Sequence, residues 1–169
     1  RIAVRMRARG ASDFVEYGLL LDRDPGEYEQ LIDALTINVT KLFRNLDAWS
    51  AVERAVMPSL WTLPALRINC WVAGCASGEE AYTLAAFWHR FVAAREGTAQ
   101  LGRVHILASD IDRASLEAAE RGTYAAEAFV ETPAAMRAAY FSAEPPFTVT
   151  QELRALVQFE RRDLLRDAP

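Results

Sequence analysis

Val72-Ala73-Gly74-Cys75-Ala76-Ser77-Gly78-Glu79-Glu80 is the stretch on which the fold turns. Before it lies a short apolar run, Arg67 to Ala73, that stops at Gly74 and Gly78. After it, from Glu79 to Ala94, Ala81, Leu84, Ala85, Trp88 and Val92 recur at the three- and four-residue spacing of a helix. The next apolar run, Val104 to Ala108, ends in Ser109-Asp110-Ile111-Asp112, and a helix predicted over Arg113 to Arg121 is closed by Gly122. Strand, glycine loop, helix, strand, acidic end, helix is the order of a βαβ unit, so the class is α/β with a parallel sheet.

A glycine turn between strand and helix brings backbone N–H groups up to a ligand, which is why nucleotide sites use it. This loop is neither G-x-G-x-x-G nor a Walker loop, and it puts Glu79 and Glu80 where a dinucleotide would place its pyrophosphate. At roughly 4 Å and an effective dielectric of about 20, each like-charge pair costs on the order of 4 kcal/mol. A diphosphate is therefore a poor guest, whereas S-adenosylmethionine, which has no phosphate and carries a sulfonium and an ammonium, is attracted. Asp110, at the end of the second strand, is placed to accept ribose hydroxyl protons. The same residues have a plainer reading, in which Glu79 and Glu80 complement the helix dipole and Asp110 or Asp112 caps a helix; spacing leaves both open.

Upstream, the chain reads as a helical unit. Ser12 can cap a helix over Asp13 to Leu21. Asp24-Pro25-Gly26-Glu27 opens a second with a capping acid, a proline at the first position and a capping-box glutamate. Asp47 can cap a third over Ala48 to Met57, ended by Pro58. Downstream, Thr132-Pro133 opens a helix through Tyr140, and past Pro145-Pro146 two further strands are predicted, Phe147 to Thr150 and Leu156 to Glu160.

Of 169 residues, 51% are apolar and 25% charged, with net charge −4 and pI near 5.3. That is globular composition without the basic surface of a nucleic-acid binder, so no nucleic-acid partner is expected. Cys70 and Cys75, the two cysteines, fit buried thiols in a reducing compartment, and no metal site is expected. No apolar stretch approaches a bilayer span and no signal-peptide core opens the chain, so a cytoplasmic protein without membrane insertion is expected. The absence of an initial Met and the stop just after a strand-like segment suggest a piece of a longer polypeptide.

Several motifs, in order, resemble the chemotaxis-receptor methyltransferase family of the CheR type. Leu35-Thr36-Ile37-Asn38-Val39-Thr40-Lys41-Leu42-Phe43-Arg44 is similar to its T-x-N-x-T-x-F-F-R signature, and Gly74 through Thr83 to its G-C-S-T-G-E-E-P-Y-S. Ala108-Ser109-Asp110-Ile111-Asp112 matches A-[ST]-D-I-D, and Ala119 through Tyr124 matches A-x-x-G-x-Y. The resemblance covers nearly the whole chain. It departs at Leu42, Ala76, Ser77 and Ala81, all conservatively, and a fourth strand with an R-N-x-x-x-Y-F motif is absent.

The resemblance implies a helical domain and linker over residues 1–60, and over 61–169 a Rossmann-like class I methyltransferase domain with a partly truncated parallel sheet. It also implies a small antiparallel β insertion within 141–160. The implied activity is transfer of methyl from S-adenosyl-L-methionine to glutamate carboxylates in the cytoplasmic region of methyl-accepting chemoreceptors, leaving S-adenosyl-L-homocysteine. The alternative is a non-catalytic signalling or scaffold domain that keeps the fold. Carried over by position, Asn38, Thr40 and Arg44 face the cofactor, Arg44 as the catalytic residue. Gly74, Glu79 and Glu80 line the loop, Asp110 holds the ribose, and Asp163 and Leu164 lie beside the adenine. Leu42 and Phe43 are expected as core packing between the two domains, and His89 and His105 as structural. Arg1, Arg5, Arg7 and Arg9 are available as a basic face toward acidic receptor helices.

Overall fold

A computed structural model describes residues 1–35 and 40–167. Its contacts divide the chain into two units, residues 1–38 and 39–169. The sequence reading placed 40–60 with the first unit. In the structure they belong to the second, because Leu42, Phe43, Met57 and Trp61 are buried in that unit's core.

The first unit is three short helices, α1 (Ile2–Ala8), α2 (Phe14–Arg23) and α3 (Pro25–Leu35). Asp13, one residue beyond the expected Ser12, caps α2 by accepting the Glu16 N–H at 2.8 Å, while Glu16 reaches back to the N–H and hydroxyl of Ser12. Asp24 accepts the Glu27 N–H as expected. Glu27 itself is no capping-box residue. It is buried beneath Met6, Tyr17 and Leu31, and takes the Tyr17 hydroxyl at 2.7 Å and Nε of Arg5 at 2.9 Å. Arg9 pairs with Asp24 at 2.7 Å and approaches Glu27 at 3.6 Å. Arg1 donates to the last carbonyls of α3 and Arg7 to Ala3. The basic run is thus largely spent inside its own unit, and a basic docking face is correspondingly reduced.

The second unit opens with a helical rod, α4 (Leu46–Ala51), a π-helical turn over Val52–Val56, and α5 (Met57–Trp61). Two expectations change here. The N-cap is Asn45 and not Asp47, and Pro58 does not end the helix. The wide turn restarts the α-helix so that Pro58 stands in a first turn, where its missing N–H is no loss.

β1 (Ile68–Ala73), β2 (Val104–Asp110) and β5 (Val157–Arg161) form a parallel sheet in the order β1-β2-β5. Between them run α6 (Glu79–Glu96) and α7 (Arg113–Arg121), the latter closed by Gly122 at φ +60°. One sheet face carries Ile68, Val72, Val104, Ile106 and Ala108 into a core filled from α6 by Ala81, Ala85, Trp88 and Val92. At about 25 cal/mol per Å2, burial of each larger side chain contributes roughly 1.5–3 kcal/mol.

β3 (Thr123–Tyr124) and β4 (Phe147–Thr148) form a two-stranded antiparallel sheet, extended by a bridge between Phe141 and Val149. The antiparallel insertion is therefore smaller than 141–160. After α8 (Ala134–Tyr140) and α9 (Gln151–Arg154), the segment expected to complete it becomes β5, because Val157 and Phe159 bring apolar side chains to the main core. His89 packs against Tyr140, with Nδ1 3.1 Å from its hydroxyl, and His105 bonds the Gly102 carbonyl. No helix among the described residues is long and apolar enough to cross a membrane.

Candidate functional site

The register of the parallel sheet, Ile68 opposite Val104 through Ala73 opposite Ser109, brings the ends of β1 and β2 to one edge. Ligands of open α/β sheets bind outside that edge. The glycine loop leaves β1 there with Gly74 at φ +75°, Ala76 at φ +47° and Gly78 at φ +89°. A Cβ on Gly78 would stand 2.8 Å from Cβ of Ala119 and 3.2 Å from the Phe159 ring, so the loop lies flat on α7 and β5. On Gly74 it would meet nothing within 4 Å.

The loop's amides are largely used within the fold. Gly74 and Cys75 both donate to the Ser109 carbonyl, at 2.8 and 2.9 Å, Gly78 donates to Cys75, and Ala76 donates to Oδ2 of Asp110 at 2.7 Å. A phosphate cradle needs such N–H groups unclaimed and converging. Asp110 takes the Asp112 N–H on its other oxygen, and each oxygen keeps a further acceptor direction. Asp112 is the helix cap: buried, it accepts from the N–H groups of Ala114 and Ser115 and from the Ser115 hydroxyl. The alternative left open by spacing is thereby divided, with the cap at Asp112 and Asp110 at the loop.

Glu79 and Glu80 also part company. Glu79 is 6% exposed and both its oxygens lie within 2.9 Å of the Ser77 hydroxyl; burial raises its carboxyl above the usual range. It supports the loop from below, with Tyr124 donating to the Ser77 carbonyl at 2.8 Å. Glu80 is exposed and lines a cleft of about 180 Å3 together with Thr40, Lys41, Arg44, Asn45, Trp49 and Thr83. Thr40 and Arg44 thus meet Glu80 in one cleft, although 36 residues separate Arg44 from it in sequence.

The segment carrying Arg44 is an unusual turn. Phe43 is fully buried at φ +57° and Asn45 stands at φ +60°, so left-handed backbone flanks Arg44 on both sides. For a bulky residue such a conformation costs on the order of 1–3 kcal/mol and persists only where surroundings impose it. Here Leu42 exchanges bonds with Ala128 and Thr132, Asn45 donates to Glu131, and Phe43 donates its N–H to the Thr83 hydroxyl at 2.9 Å. Leu42 and Phe43 are core residues, as expected, but of the second unit itself.

Asp163 and Leu164 follow β5 at the same sheet edge, where the Arg162 N–H donates to the Asp110 carbonyl. Asp163 accepts from Leu165 and lies 3.5 Å from Arg166, and Leu164 is exposed. Neither lines the cleft of Arg44 and Glu80. Asn38 lies outside the described residues. Lys41, Trp49 and Thr83 were missed by the sequence reading as cleft residues. The available signal was at Thr83, a hydroxyl on the apolar side of α6 between Tyr82 and Leu84.

Comparison with known proteins agrees with this architecture. Residues 38–169 match the family described as CheR methyltransferase, SAM binding domain, and residues 1–36 match CheR methyltransferase, all-alpha domain. A chemotaxis protein methyltransferase of Listeria innocua is 32% identical over 155 residues, covering 91% of this chain and 56% of that protein. Chemotaxis protein methyltransferase 2 of Pseudomonas aeruginosa is 32% identical over 170 residues, 98% of this chain and 58% of that protein. An uncharacterized 104.1 kDa protein of Rhodobacter capsulatus is 32% identical across the whole chain, which is 18% of its own length. The chain spans little more than half the length of the two chemotaxis methyltransferases. Two consecutive family domains over nearly every residue leave one conclusion: the chain belongs to the CheR methyltransferase family.

Proposed function

We propose that the protein is an S-adenosylmethionine-dependent O-methyltransferase acting on glutamate side chains in the cytoplasmic region of chemoreceptors. The observation that carries the reading is the convergence of Thr40, Arg44 and Glu80 on one cleft beside a loop in which the amides of Gly74, Cys75, Ala76 and Gly78 are bound internally. The donor set fits a cationic nucleoside. Glu80 supplies negative charge, Asp110 has acceptor positions to spare for vicinal hydroxyls, and the loop offers little to a phosphate.

When bound, the cofactor supplies a methyl group on a positively charged sulfur. A glutamate carboxylate with a pKa near 4.3 is ionised at neutral pH, so none of this chain's residues need act as general base. The carboxylate would take the methyl group that the bound cofactor supplies, so the residues of this chain need only hold the two in line and move no proton. Arg44 brings a guanidinium with five donors to hold and orient carboxylate in the cleft. Trp49 lines the cleft beside it, and the buried Phe43 anchors the turn behind it. Glu79 and Ser77 keep the loop in shape. Asp163 and Leu164 complete the nucleoside end of the site.

Calorimetric titration with S-adenosylhomocysteine, with NAD as control, tests the cofactor assignment. Binding of the former alone is expected, and binding of NAD alone rejects it. Transfer of labelled methyl to a receptor fragment carrying its methylated glutamates tests the reaction, and Arg44→Ala is expected to abolish it while the fold is retained. Transfer at the unsubstituted rate in that variant removes Arg44 from the mechanism.

A further inference from the structure

Thr83 sits in the first turns of α6, almost wholly buried, and its hydroxyl does two things at once. It donates to the Glu79 carbonyl at 2.7 Å and accepts the Phe43 N–H at 2.9 Å. The first bond is the ordinary local one of a helical threonine. The second is not local: it crosses 40 residues to the left-handed turn that carries Arg44. Because a hydroxyl has one proton and two lone pairs, donating to Glu79 leaves its acceptor side for Phe43, so the two bonds fix each other's direction. The Phe43 amide is buried, and no other acceptor for it is found among the described residues.

We propose that Thr83 is the positioning residue of the cleft. Its hydroxyl ties the strained Phe43–Asn45 turn to the first turn of α6, so that Arg44 and Glu80 are presented at a fixed separation. This rests on the reading of the cleft as part of the cofactor site, and it has Thr83 act on cofactor affinity through the turn it holds. The other anchors of the turn, at Ala128, Glu131 and Thr132, all lie on the opposite segment. Thr83 alone among these hydrogen-bond anchors links the turn to the helix bearing Glu80.

The test compares the unsubstituted protein with Thr83→Val, which keeps shape and loses the hydroxyl, and Thr83→Ser, which keeps the hydroxyl and loses a methyl. Two quantities are read: hydrogen exchange at the Phe43 amide and the Kd for S-adenosylhomocysteine. In Thr83→Val the amide is expected to exchange at least about tenfold faster and the Kd to rise about tenfold, as one lost hydrogen bond implies. Thr83→Ser is expected to restore both. Unchanged exchange and Kd in Thr83→Val overturn the proposal, and so does equal loss in both variants, since the hydroxyl is then not the cause. If the unsubstituted protein binds no S-adenosylhomocysteine, the cofactor reading of the cleft falls, and the amide exchange still decides whether Thr83 holds the turn.

Discussion

Oδ2 of Asp110 accepts the backbone N–H of Ala76 at 2.7 Å, so the acid that ends the second strand is tied to the loop that follows the first. A carboxylate in this position sets the loop's shape and still offers acceptors outward. Both roles are separable by substitution. Asp110→Ala is expected to raise the Kd for S-adenosylhomocysteine about 10- to 100-fold, the worth of charged hydrogen bonds. Its melting temperature should fall by about 4–8 °C, for the two backbone bonds lost at Ala76 and Asp112. An unchanged Kd measured by calorimetry removes Asp110 from the nucleoside site.

Gly78 and Gly74 share a left-handed backbone and differ in their surroundings. Gly78→Ala is expected to cost about 2–4 kcal/mol, the sum of strain and a collision with Ala119 that backbone must relieve. Gly74→Ala carries strain alone, about 1 kcal/mol. Urea midpoints of the two variants measure the difference, and equal losses would mean that the approach to Ala119 is not what demands glycine.

Glu27 gives the first unit a pH dependence. Its hydrogen bond from Arg5, followed by that from Tyr17, holds its carboxyl below the usual 4.5. A group depressed on folding stabilises above its unfolded pKa, and that contribution disappears as pH falls through the lower, folded value. The helices of residues 1–35 are thus expected to keep constant amide protection from pH 7 to about 5 and to lose it below about 4.5. Glu27→Gln should flatten this profile. Protection that declines identically in the variant would place the titration elsewhere.

Burial pushes the Cys75 thiol up to about 12, with the charge of Asp110 adding to it. Almost no thiolate exists near neutrality, and Cys75 is buried as well. At pH 8 it is expected to react with a thiol reagent only on unfolding, with a half-time at least about a hundredfold longer than for the denatured chain. Reaction at the denatured rate would show the loop opening freely.

What was readable in the sequence is what local chemistry decides. The change of period at Arg67, the glycines of the loop and the closing Gly122 gave strands and helices in the order found, and the family motifs singled out Arg44, Glu80 and Asp110, of which the first two line one cleft. What escaped depends on partners distant along the chain. Glu27 has the spacing of a capping-box residue, and only Arg5 and Tyr17 draw it inside. The strand after Leu156 was assigned to the insertion because pairing with β2 instead is a tertiary choice. Arg44 and Glu80 were marked separately, but their meeting depends on the Phe43 turn, whose backbone no residue type there announces.

The π-helical turn at Val52–Val56 has a consequence for phase. In an uninterrupted α-helix, Met57 and Trp61 would point about 80° and 120° away from Trp49, at 100° per residue. One extra residue in the wide turn subtracts about 100°, bringing all three within about 20° of a single line. Trp49 stacks on Phe87 while Trp61 meets Trp88 and Phe91, so one helical face serves one wall of the core along its whole length. The turn works as a vernier: it absorbs one extra residue, so deleting a single residue from it would leave a plain α-helix with the same three side chains still in line.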